Sequence, residues 1–136
     1  MDVDRDVHPG GVVRVERTLT LTGDLLRAYS RRGNFHSDGD AADALGLPGL
    51  VAQGMQVAAP AYGVLLDAWG DDFLARGVTT LKFVGMVLED ETVTALVDLP
   101  EHHADGTRTA SFEVTSTTTG RTAVVGSASI PPEPRR

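Results

Sequence analysis

The chain has 136 residues, a formal net charge of −7 and no cysteine. That length suits one domain spanning 1–136, and 41% hydrophobic with 23% charged residues fits a soluble, packed chain rather than a disordered one. Disulfides and thiolate metal sites are excluded, and the acidity argues against nucleic acid, whose phosphates need a basic surface.

Residues 1–10 set Asp2, Asp4 and Asp6 against Arg5 and run into Pro9-Gly10-Gly11. They read as a flexible acidic tail without the basic start and apolar stretch of a secretory signal, so cytoplasmic residence is expected. Residues 12–21 alternate: Val13, Val15, Leu19 and Leu21 share one side, with Arg17 the exception among them. This predicts a half-buried strand. Thr22 is a candidate N-cap for a short helix reaching Ser30, with Asp24 in its first turn.

Residues 31–49 are rich in turn formers and hold a small helix at 40–45. A long polar loop in a small domain is expected to be functional. Residues 53–69 predict a helix that is apolar nearly all round, hence enclosed by the rest of the protein, with a kink at Pro60. No apolar run approaches the ~20 residues that span a bilayer. Strands follow at 78–87, 91–99, 108–117 and 121–130. Their joints at Glu89-Asp90, Ala104-Asp105-Gly106 and Thr119-Gly120 suit hairpins. Residues 131–136 read as a flexible end. The economical packing is α+β: one curved antiparallel sheet wrapped around one long helix.

Two segments carry the chemistry. Ser30-Arg31-Arg32-Gly33-Asn34-Phe35-His36-Ser37-Asp38 puts a histidine on a loop, and Val51-Ala52-Gln53-Gly54-Met55 opens the enclosed helix at a glycine. The first amides of a helix lack internal partners and sit at a positive dipole end, where a carbonyl gaining negative charge is stabilised. Histidine can move a proton near neutral pH. Residue types alone fit either this machinery or a loop histidine bonded to backbone beside a tight helix entry. Asp38 is read as a brace of its loop rather than as a catalytic carboxylate. Arg31 and Arg32 fit an anion contact or a solvated helix end equally well. Tyr62 and Trp69 fall on the enclosed helix as core residues, and Tyr62 is also a candidate to line an acyl tunnel. His102 and His103 read as part of a solvated turn, with no metal site expected.

From Thr22 to Val97 the chain resembles the MaoC-like dehydratase and R-specific enoyl-CoA hydratase family. The likeness rests on Asn34-Phe35-His36-Ser37-Asp38, Ala41-Ala42, Gly46-Leu47-Pro48-Gly49, Gln53-Gly54-Met55 and Leu81-Lys82-Phe83. It implies a hot-dog fold and a hydro-lyase acting on a 2-enoyl or 3-hydroxyacyl thioester, carried on coenzyme A or an acyl carrier protein, with no cofactor of its own. The family's motif aspartate falls at Arg31, so the resemblance is to a variant lacking it.

The resemblance makes His36 the general acid/base and turns the Gly54 amide to the thioester oxygen. Asn34 is a further catalytic candidate, holding water or a substrate hydroxyl. Gln53, Arg31, Tyr62 and Met55 are expected to contact substrate, with Gln53 also fixing the loop of His36 and its tautomer. It implies a homodimer, and the 78–87 strand, with Val84 and Met86 on its second side, is the candidate pairing edge. Two alternatives accompany the missing aspartate. One is recruitment to an isomerisation, cyclisation or other elimination in a natural-product pathway. The other is a non-catalytic partner in a heterodimeric dehydratase.

Overall fold

A computed structural model describes residues 3–8, 11–100 and 105–132, the first of these at the level of the backbone. In chain order the elements are β1 (Val3–His8), β2 (Val12–Thr20), α1 (Gly23–Tyr29), α2 (Gly39–Ala44), α3 (Gly54–Trp69), α4 (Asp71–Arg76), β3 (Val78–Phe83), β4 (Thr92–Leu99), β5 (Arg108–Ser116) and β6 (Thr122–Ile130). The strands form one sheet in the order β1-β2-β4-β5-β6-β3, every pair antiparallel. The expected turn at His102 and His103 lies outside the described residues, as do 133–136.

Alternation decides which face of the sheet is buried. Val15 of β2, Val93, Ala95 and Val97 of β4, Phe112 and Val114 of β5 and Val124 of β6 point inward. They meet Val57, Ala58, Ala61, Val64 and Leu65 of α3 in one core. Ala58 and Ala61 are fully buried and let the sheet come close to the helix. Each enclosed valine or leucine contributes about 1.5–3 kcal/mol of transfer free energy. The outer face is polar. Arg14 forks onto Asp98 at 2.7 and 3.0 Å, and threonine hydroxyls pair at 18/94 and 20/92. This is the expected α+β hot-dog arrangement, a curved sheet wrapped around a long central helix. No helix among the described residues is long and apolar enough to cross a membrane.

Three details depart from the sequence reading. Residues 3–8, expected in a loose tail, pair along β2 through backbone hydrogen bonds. Residues 71–76 form α4, a helix the sequence did not signal. It starts at Gly70 in the left-handed region (φ 59°), and Asp71 and Asp72 complement its positive end. Arg108 at 2.8 Å, joined by Arg76, holds the Asp72 carboxyl below its ordinary pKa. The third difference is at β3, which stops at Phe83 and pairs with β6, so Glu89-Asp90 does not close a hairpin between β3 and β4. Residues 84–91 instead return across the entry of α3, with Ala52 N bonded to Val87 O (2.8 Å) and Glu89 N to Leu50 O (2.9 Å).

Arg17 stands where the alternation of β2 puts it, on the apolar side. It points into the core side and is buried, its guanidinium paired with Asp67 of α3. Gly63 makes room for it, because a Cβ there would collide with Arg17 Nη1. Helix α3 runs unbroken through both Pro60 and Gly63.

Candidate active site

The His36 loop is held at three points. Asn34 Oδ1 accepts the His36 amide at 2.9 Å and lies 3.2 Å from Ser30 Oγ, while Ser37 N and Asp38 N donate to the Asn34 carbonyl. This is an asparagine-nucleated turn. Ser30 caps the end of α1 and accepts Gln53 Nε2 at 3.0 Å, tying the loop to the start of α3. Phe35 O accepts Val51 N at 3.2 Å, and His36 Nδ1 lies 2.6 Å from Val51 O. A carbonyl oxygen only accepts, so Nδ1 carries the proton and Nε2 of the neutral ring keeps its lone pair.

Helix α3 begins without a side-chain cap, because Gln53 is turned toward Ser30. Gln56 N and Val57 N bond to Gln53 O. The amides of Gly54 and Met55 have no partner among the described residues. A Cβ at Gly54 would lie 2.6 Å from the Phe83 ring, so a larger residue there would have to displace that half-exposed ring. Phe83, half exposed at the end of β3, thus rests on the first turn of the helix.

A cavity of about 530 Å³ opens at this junction. His36, Gln53, Gly54 and Met55 all line it, as the sequence led us to expect. Tyr29, Phe83 and Met86 line it too and were not anticipated, since they come from the end of α1 and the segment around β3. Valines 51, 57, 87 and 124 make much of the remaining wall apolar. No carboxylate is among the described lining residues.

Three expected site residues stand elsewhere. Asn34 does not line the cavity, and its acceptor serves the His36 amide. Arg31 is exposed, and its carbonyl accepts from Ser37 Oγ at 2.6 Å and from Ser30 Oγ. Tyr62 packs against Phe73 with its hydroxyl 2.9 Å from Thr79 Oγ1, away from the cavity, because its face of α3 looks toward α4 and β3. Two further residues resolve. Asp38 caps α2 through the amides of Asp40 and Ala41, the bracing role expected of it. Arg32 lines a separate cleft with Arg27. The tautomer of His36 is fixed by the Val51 carbonyl rather than by Gln53.

Comparison with known proteins agrees with the fold. Solved structures of similar fold include an (R)-hydratase from A. caviae involved in PHA biosynthesis (TM-score 0.72, 18% identity, 88% of this chain and 94% of that one). The R-hydratase PhaJ1 from Pseudomonas aeruginosa has TM-score 0.70 and 20% identity, over 88% of this chain and 81% of that one. A chain of the ChsH1-ChsH2 complex from Mycobacterium tuberculosis has TM-score 0.70 and 15% identity, over 87% and 93%. No curated protein matches by sequence. The model of the MaoC like domain matches residues 6–122, and the chain belongs to that family.

Proposed function

We propose that the chain is a hydro-lyase that adds or removes water at a 2-enoyl or 3-hydroxyacyl thioester. One observation carries this reading. The Val51 carbonyl holds the His36 ring, and Nε2 and the amides of Gly54 and Met55 in the same cavity have no partner among the described residues. A thioester carbonyl bound at those amides acquires negative charge as the C2 proton leaves, and the helix end stabilises it. One such donor is worth about 2.7–4 kcal/mol of barrier. His36 Nε2 takes the C2 proton in dehydration and returns it in hydration, a contribution of about 10²–10⁴ in rate. The apolar wall suits an acyl chain, and the acyl group is carried on coenzyme A or the phosphopantetheine of a carrier protein. Gln53 and Met55 are its flanking contacts.

We further infer a homodimer. β3 is an edge strand, and Val78, Phe83, Val84 and Met86 are exposed along and just beyond it, beside the cavity. Pairing of two β3 edges buries this apolar strip and covers the cavity mouth. The lack of a lining carboxylate favours, as a second reading, a different elimination or isomerisation on the same thioester scaffold.

A crystal structure with an unreactive analogue of crotonyl-coenzyme A tests both inferences. The expected result is the analogue's carbonyl oxygen within about 3 Å of Gly54 N, C2 facing His36 Nε2, and a second chain along β3. An analogue bound elsewhere overturns the activity, and chains that do not meet along β3 overturn the dimer.

A further inference from the structure

Removing water from a 3-hydroxyacyl thioester needs two proton movements. One proton leaves C2, and one must reach the departing oxygen, because hydroxide is a poor leaving group. His36 accounts for the first. The remaining polar side chains of the cavity wall are those of Gln53 and Tyr29. An amide such as Gln53 does not give up a proton under these conditions, and its nitrogen is already bonded to Ser30 Oγ. Tyr29 differs on both counts. Among the described residues it is the only other lining residue with an ionisable side chain, it is 52% exposed, and its hydroxyl makes no hydrogen bond there.

Its position is also set by the same construction that sets His36. Tyr29 is the last residue of α1. Ser30, next in the chain, is fixed by its amide to Leu26 O and by Gln53 Nε2 to its hydroxyl. The Ser30–Asn34 contact then leads to the His36 amide. Gln53 thus joins the first turn of α3, the base of Tyr29 and the loop of His36, so the two side chains enter one cavity from a common brace.

We propose that the Tyr29 hydroxyl is the second catalytic group of this site, serving the oxygen at C3. In dehydration, His36 Nε2 takes the C2 proton and the C2–C3 double bond forms as the C3–O bond breaks. The Tyr29 O–H gives its proton to the departing oxygen, which leaves as water. The resulting phenolate regains a proton from the His36 imidazolium through solvent, so both residues return to their starting forms. Hydration runs the same steps in reverse.

The inference rests on the thioester hydro-lyase reading, and leaving-group chemistry separates the two. Chloride departs without a proton, whereas hydroxide needs one. Elimination is therefore measured on 3-hydroxybutyryl- and 3-chlorobutyryl-coenzyme A, corrected for the uncatalysed rate, with wild type, Tyr29→Phe and His36→Ala. Tyr29→Phe is expected to slow the hydroxy substrate by about 10²-fold and the chloro substrate by less than about threefold, while His36→Ala loses both. Tyr29 is half exposed and its hydroxyl unbonded, so the phenylalanine variant is expected to keep the wild-type thermal transition. Equal slowing of both substrates by Tyr29→Phe, or of neither, overturns the role of Tyr29 and leaves His36 standing. Failure of the wild-type protein to turn over either substrate overturns the hydro-lyase reading and this role with it.

Discussion

Asn34 acts on His36 from behind. Its Oδ1 accepts the His36 amide and meets Ser30 Oγ, and it has no place in the cavity wall. A brace and a catalytic amide respond differently to substitution. Asn34→Asp keeps the acceptor and is expected to retain turnover within about threefold, whereas Asn34→Ala frees the loop and costs about 10²-fold, as a ~1 Å misplacement of a reacting group does. Steady-state rates of the two variants check this, and equal losses in both contradict the bracing role. His36 and Gly54 were legible in the sequence because each lies in a compact local pattern: a histidine in a turn-rich loop, and a glycine opening an apolar helix. Tyr29, Phe83 and Met86 were not legible, because only the tertiary path of α1 and of the segment after β3 brings them to that cavity. Arg31 and Tyr62 were misplaced for a related reason: spacing along the chain does not say which way a loop carbonyl or a helix face turns.

At the level of elements, the Arg17–Asp67 pair joins β2 to α3 across Gly63. The glycine that weakens helix propensity is also the gap through which the guanidinium passes. Gly63→Ala is expected to destabilise by about 1–3 kcal/mol through overpacking. In an Arg17→Ala background the same change should cost nothing, or gain the ~1 kcal/mol by which alanine exceeds glycine in helix propensity. Denaturant unfolding of the four proteins of this cycle measures the coupling, and additive effects would show that the two residues do not meet. Arg17 broke the alternation of an otherwise regular strand, and that break was the sequence sign of this contact. β1 and α4 gave no comparable sign. β1 is joined to β2 by backbone pairing, and its alternation is carried by Val3 and Val7 alone with Arg5 between them, while α4 is six residues long, too short for helical periodicity to show. The hairpin expected at Glu89-Asp90 failed because turn chemistry was read correctly and its partner was not. Asp90 does take a positive φ of 68°, but its amide bonds to Leu21 O, directing the chain to β4 from the far side of the site.

Across the whole molecule, the sheet packs against one face of α3, and the first turn of the helix opens to the cavity that holds His36. That opening lies beside the exposed edge β3, so the proposed pairing of two copies and the covering of the site would be one event. The resemblance of the Asn34–Asp38 and Gln53–Met55 segments made this fold legible, while the acyl group and its carrier leave no comparable trace in residue type or spacing. The central claim is that His36 moves a proton on a thioester held at Gly54. The rate of crotonyl-coenzyme A hydration by the wild-type protein and by His36→Ala tests it most directly. Wild type is expected to hydrate this substrate, and the variant to lose about 10³-fold or more in rate with an unchanged circular dichroism spectrum and thermal transition. A folded His36→Ala protein that hydrates crotonyl-coenzyme A at close to the wild-type rate would contradict the account.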